Sequence, residues 1–193
     1  MPEPEIREVL EKQKAFFASH ITRDIGFRRE MLKKLRRAIQ ENESKINRAL
    51  KDDLGKSAFE SYASEIGVTL NEISLHLKEL KKWMTPEKVK TPLVHFPTSR
   101  YIYREPYGVS LVLSPWNYPF QLTLSPVIGS IAAGNCCVVK PSRYASHTSA
   151  LVERIFRENF PEDYLRIFQG GSEVNQALLR EKYDVIFFTG SAA

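Results

Sequence analysis

Between Gly108 and Arg143 the chain reads GVSLVLSPWNYPFQLTLSPVIGSIAAGNCCVVKPSR, an order that few folds accommodate. Val109 to Leu113 is an apolar, β-rich run entered through a glycine, and Asn135 to Val139 is a second, entered through Gly134. Such runs are strands buried on both faces. One helix separates them. Pro119 suits a first helical turn, where an N–H needs no partner, and Leu122, Pro126, Ile128, Gly129 and Ala133 offer apolar and small surface for close packing on a sheet. Strand, crossover helix and strand predict a parallel, right-handed βαβ unit. Ligands of such units bind beyond the carboxyl ends of the strands, which here carry Ser114, Pro115, Trp116 and Asn117, then Lys140, Pro141 and Ser142.

The chain before this unit reads as helices. Ile6, Val9, Leu10, Phe16 and Phe17 mark an amphipathic helix ending near Ser19 and His20. Asp24 caps a basic helix whose apolar face is Phe27, Met31, Leu35 and Ile39, and Asn42 caps a third that Gly55 stops. Ser57 to Glu60 is a capping-box signature opening a long helix with an inner stripe of Phe59, Tyr62, Ile66, Leu70, Ile73, Leu77 and Leu80. Pro92, Pro97 and Pro106 then bracket short β-rich pieces, predicting a projecting hairpin around Pro97 to Ser99. After the central unit come a helix from Ser146 or His147, a strand from Leu165 to Phe168, a turn at Gly170 and Gly171, a helix from Glu173 to Leu179 and a strand from Asp184 to Phe188. The expected architecture is α/β: a helical N-terminal layer over residues 1–91, a hairpin over 92–107, and an incomplete Rossmann-like, doubly wound parallel sheet over 108–193.

Composition narrows the function classes. The 193 residues carry a net charge of +5, concentrated early in Arg23, Arg28, Arg29, Lys33, Lys34, Arg36 and Arg37. These read as the solvated face of the basic helix, and no interleaved aromatics point to nucleic acid. No apolar run is long enough to span a membrane and the N-terminus is too polar for a secretory signal, so a cytoplasmic protein is expected. Cys136 and Cys137 are adjacent, which provides neither a disulfide framework nor metal-ligand spacing. They point to opposite faces of a strand, and buried thiols there resist ionisation.

Four motifs in series, Pro115-Trp116-Asn117-Tyr118-Pro119, Ala132-Ala133-Gly134-Asn135, Val138-Val139-Lys140-Pro141-Ser142 and Phe188-Thr189-Gly190-Ser191, resemble the aldehyde dehydrogenase superfamily in order and spacing, with its class 3-like branch the nearest match. The resemblance implies that an NAD or NADP cofactor and an aldehyde substrate serve a longer parent protein, and that the hairpin pairs subunits into a homodimer. It implies that Asn117 is the oxyanion donor, that Lys140 bonds the adenosine ribose hydroxyls, and that Ser142 lines the adenine pocket. Ser114, Pro115 and Trp116 belong to the same cofactor motifs, although Trp116 by itself reads as a packing residue. Gly170 would pass close to the adenine, and Gly190 and Ser191 would open the pyrophosphate turn. Where many members carry Glu three residues after the motif lysine, this chain has Arg143, which removes repulsion of a 2′-phosphate.

The family's nucleophilic cysteine and its glutamate base fall downstream of Phe188 to Ser191 in relatives. The isolated chain is therefore expected to be inactive, with Cys136 and Cys137 structural. No Gly-x-Gly-x-x-Gly fingerprint is present. A stand-alone module that binds a nucleotide or a protein through its sheet edge and hairpin is the alternative, and a reductase of acyl groups a further one.

Overall fold

A computed structural model describes residues 3–190. Ser191 lies outside the described residues. The chain opens with α1 (Glu3–Ala18), α2 (Ile25–Glu41) and α3 (Glu43–Leu54). Asp24 caps α2, its Oδ1 accepting the Phe27 N–H at 2.7 Å, and Gly55 ends α3 in the left-handed region at φ 69°. Asn42 precedes α3 without capping it: its side chain turns back to donate to the Ala38 carbonyl at 2.9 Å, so the preceding helix claims it.

The long helix divides into α4 (Ala58–Ser61), a π-helical turn (Tyr62–Ile66) and α5 (Gly67–Met84). Ser57 accepts the Glu60 N–H at 3.1 Å, as a capping box requires. The wider turn displaces the 3.6-residue phase. Ile66, Ile73 and Leu80 are buried as expected, but Phe59 and Tyr62 are exposed, and the polar series Ser61, Glu65 and Thr69 is buried instead. A short ribbon follows, β1 (Glu87–Val89) pairing antiparallel with β2 (Arg100–Ile102), so the hairpin starts ahead of Pro92.

The main sheet contains β3 (Val109–Leu113), β4 (Cys136–Lys140), β5 (Leu165–Ile167) and β6 (Val185–Phe188), all parallel, in the order β5-β4-β3-β6. β3 and β4 are buried throughout. Their crossover is α6 (Gln121–Ala133), which starts two residues after Pro119; α7 (Ser146–Asn159) and α8 (Ser172–Leu179) make the other connections. Both α1 and α6 lie against β3 and β4. Gln13 of α1 reaches through this contact, its Nε2 donating to the Cys137 and Glu162 carbonyls at 3.2 Å.

Arg28 corrects the solvated-face reading of α2. It is buried, with Nε donating to the Thr22 carbonyl at 2.7 Å and a terminal nitrogen to the Ala132 carbonyl at 3.1 Å. A cation is favoured there because the last carbonyls of α6 lack helical partners and carry the negative end of its dipole. Gly134 ends α6 at φ 88°, and a Cβ on it would collide with the Arg28 guanidinium. Basic residues at helical spacing predicted a wet face, but a helix end laid across α2 takes one of them inside.

Candidate functional site

Where β3 and β4 end, the chain forms a cleft of about 240 Å3 lined by Ser114, Lys140, Ser142, Arg143, Tyr144, Gly171, Ser172, Asn175 and the exposed ring of Phe188. Ser114, Lys140, Ser142 and Arg143 are thus brought together. Lys140 is buried, and burial lowers the pKa of its ammonium, partly offset by the Glu173 carboxylate. Its ammonium makes no hydrogen bond to another described residue. Arg143 is exposed at the rim, donating to the Tyr144 hydroxyl at 3.1 Å with its guanidinium 5.0 Å from that ring's centroid. Glu173 accepts the Gly171 N–H at 2.8 Å, and its own N–H first, then this bond, hold its carboxyl below the ordinary range.

Gly170 does not line this cleft; Gly171 does. At Gly170, φ is 145° and a Cβ would meet Val174 of α8, so helix packing already explains the glycine. Gly190 is exposed after β6 and lies outside the cleft lining.

The loop after β3 is ordered from below. Ser114 and Thr123 share a hydroxyl hydrogen bond of 2.6 Å, and Thr123 donates to the Pro119 carbonyl at 2.5 Å. Pro115 is half-buried, while Trp116 and Asn117 are exposed. Trp116 is therefore no packing residue among the described ones, being 54% exposed. Asn117 lies in the loop that follows β3 and does not line the cleft that holds Lys140.

Sequence reasoning missed the pair beneath this loop. Lys56 and Glu65, both buried, form an ion pair with Nζ 2.5 Å from Oε1. Glu65 Oε2 accepts the N–H groups of Phe120 at 2.8 Å and Gln121 at 3.2 Å, satisfying the start of α6, which has no side-chain cap of its own. Lys56 Nζ also donates to the Asn117 carbonyl at 3.4 Å and lies 4.1 Å from the Tyr118 ring centroid. The available signal was polar rather than apolar: Ser61, Glu65 and Thr69 recur every fourth residue beside the apolar stripe. Asp53 escaped notice in the same way, since it caps α7 from α3 by accepting the N–H groups of His147 at 3.0 Å and Thr148 at 2.7 Å.

Both cysteines are buried in β4, and burial pushes Cys136 up to about 12 and Cys137 to about 11. Neither is a thiolate at neutral pH. No group of three or more potential metal ligands occurs among the described residues, and no described helix is long and apolar enough to cross a membrane.

Comparison with known proteins agrees with this geometry. The family model "Aldehyde dehydrogenase family" matches residues 2–193. The chain is 48% identical over 178 residues to the 4,4′-diaponeurosporen-aldehyde dehydrogenase of Staphylococcus aureus, covering 92% of this chain and 39% of that protein. Against aldehyde dehydrogenase family 3 member H1 of Arabidopsis thaliana it is 46% identical over 176 residues, covering 91% and 36%. Among solved structures, substrate-bound Staphylococcus aureus AldH superposes with a TM-score of 0.95 at 47% identity, covering 96% of this chain and 41% of that one. The glyceraldehyde-3-phosphate dehydrogenase GapN of Methanocaldococcus jannaschii, complexed with NADP, shares the fold at 21% identity and a TM-score of 0.79, covering 98% of this chain and 42% of that one. The chain spans about two fifths of the length of these relatives. With the family match running from residue 2 to residue 193, the chain belongs to the aldehyde dehydrogenase family.

Proposed function

We propose that this chain is the N-terminal, cofactor-binding portion of a cytoplasmic, NAD(P)-dependent enzyme that oxidises aldehydes to carboxylic acids. The observation that carries the reading is Lys140, whose stem is buried in β4 while its ammonium opens on the strand-end cleft without a hydrogen-bond acceptor from the described residues. Burial of the stem leaves the ammonium partly desolvated, so an acceptor that reaches it from the cleft is favoured. Ribose hydroxyls or a phosphate supply such acceptors, so the residues present fit the adenosine end of a dinucleotide. When bound, the nicotinamide end supplies a hydride acceptor.

This chain's residues then have distinct tasks. Lys140 and Ser142 bind and orient the adenosine end, and Arg143 offers donors at the rim. Asn117 donates its amide to the aldehyde oxygen, a bond that strengthens as attack makes that oxygen anionic. The nucleophile and the base are assigned to the remainder of the parent, because Cys136 and Cys137 stay buried and protonated. Leu93, Val94 and Phe96, exposed between β1 and β2, suit the pairing of subunits into a homodimer, with neither nucleic acid nor membrane as partner.

The alternative, a stand-alone binding module, draws on the edge strand β6, where Ile186, Phe187 and Phe188 are exposed. Activity of the parent separates the two. The full-length protein is expected to reduce NAD or NADP in the presence of aldehyde, and Asn117→Ala should slow the hydride burst by about 10²–10³ while leaving cofactor affinity unchanged. A parent without aldehyde-dependent cofactor reduction would favour the module, and a normal burst in the variant would remove Asn117 from the chemistry.

A further inference from the structure

The Lys56–Glu65 pair lies outside the cofactor cleft, yet among the described residues each side-chain hydrogen bond and cation–π contact it makes beyond the pair itself ends on the segment from Asn117 to Gln121. We propose that Lys56 and Glu65 are positioning residues that hold the Asn117 peptide, and through it the amide that meets the aldehyde oxygen. This rests on the role given to Asn117 above.

Stability alone is a poor reason for the arrangement. Two charges removed from water lose hydration that their attraction does not reliably restore, and well-packed apolar residues in such a place are often as stable. The chain also departs from a regular helix to make the pair. Glu65 sits in the π-helical turn Tyr62–Ile66, a feature frequent at functional sites, and from there its carboxylate meets the first N–H groups of α6. That end of a helix carries partial positive charge, so an anion anchors it well. With one oxygen on α6 and the other on Lys56, the carboxylate fixes the ammonium between α6 and the loop. Lys56 then reaches the carbonyl of Asn117 itself.

The bonds that order the rest of this loop end on Ser114, Tyr118 and Pro119, and among the described residues Asn117 itself makes no hydrogen bond other than that to Lys56. Asn117 is exposed, and its Lys56 contact is through the backbone, while its neighbour Tyr118 lies over the same ammonium. Rotation of the 117–118 peptide would swing the Asn117 side chain away from any fixed point above the sheet. An oxyanion donor works only if it is already in place when charge develops, because reorganisation at that moment raises the barrier. The pair therefore serves the rate of attack and hydride transfer, and cofactor affinity, set in the separate cleft around Lys140, is independent of it.

The test uses the full-length parent. Lys56→Met should slow the hydride burst by about 10- to 100-fold, the scale of a misplaced reacting group, while the Kd for NAD and NADP measured by calorimetry stays at the wild-type value. If that variant does not fold, Glu65→Gln decides. It keeps an acceptor for the Phe120 and Gln121 N–H groups, removes the charge that holds Lys56, and should show the same split. A normal burst in the folded variant, or a cofactor Kd that weakens in step with the burst, overturns the positioning role. A wild-type parent that reduces no cofactor with aldehyde instead sinks the dehydrogenase reading, so the two failures are distinguishable.

Discussion

Arg143 stands at the rim of the cleft that contains Lys140, with its guanidinium against Tyr144 and one nitrogen close to Gly171. Its reach is set by a long side chain on an exposed turn, so it can leave Tyr144 for a phosphate without breaking any buried contact. We expect the parent to accept NADP as well as NAD, and Arg143→Glu to lower the NADP to NAD affinity ratio several-fold by replacing a donor with a repelling carboxylate. Paired titrations of wild type and variant check this; an unchanged ratio would leave Arg143 in solvent. The same neighbourhood marks the range of motif reasoning. Ser114, Lys140, Ser142 and Arg143 stand at or just past the ends of parallel strands, so reading two strands sufficed to bring them together. Gly171, Ser172 and Asn175 join them only because β5 lies beside β4 and feeds α8 back over the sheet.

At the scale of elements, β4 offers a pH test. Burial raises both thiols from their ordinary 9.0, Cys136 to about 12 and Cys137 to about 11. Between those values the unfolded chain has lost protons that the folded chain keeps, so unfolding is favoured as pH rises. Stability should be fully present below about pH 9 and fall above it by about 1.4 kcal/mol per pH unit for each thiol, until the folded-state values are reached. Urea unfolding at pH 8 and pH 10 should show the drop, and Cys136→Ala with Cys137→Ala should flatten it; equal slopes in both proteins would show that other groups titrate. The helices teach a related lesson. α2 was legible from its cap and stripe, but its Arg28 was misassigned because the acceptor, the end of α6, lies 104 residues away. Phe59 and Tyr62 were misassigned because one wide turn changed the phase of everything before it.

Across the whole molecule, the helical layer and the sheet share one core, running from Ile6 of α1 through β3 and β4 to Leu178 of α8. Apolar side chains remain uncovered at β6 and in the loop of the ribbon. Because the chain's two cysteines are both buried and protonated, the 193-residue chain alone should not oxidise aldehydes. Incubation with aldehyde and either nicotinamide cofactor, followed by absorbance of the reduced form, checks this. Turnover that disappears on substituting Cys136 or Cys137 would show that β4 opens enough to ionise a thiol.

The amino-acid sequence by itself determined the parallel βαβ unit, the order of its strands along the chain and the family, because buried strands and glycine- or proline-bounded turns are local signals. It also placed Asn117 and Lys140 near the carboxyl ends of strands, since a buried run fixes where the chain leaves the sheet. Only the tertiary structure decided that Lys56 and Glu65 lie beneath Asn117, that Arg28 closes α6, and that Asp53 caps α7. Each of these depends on a backbone group left unpaired at a helix end or in a loop. Its partner comes from a distant segment, chosen by how the elements pack rather than by any pattern near it in the chain.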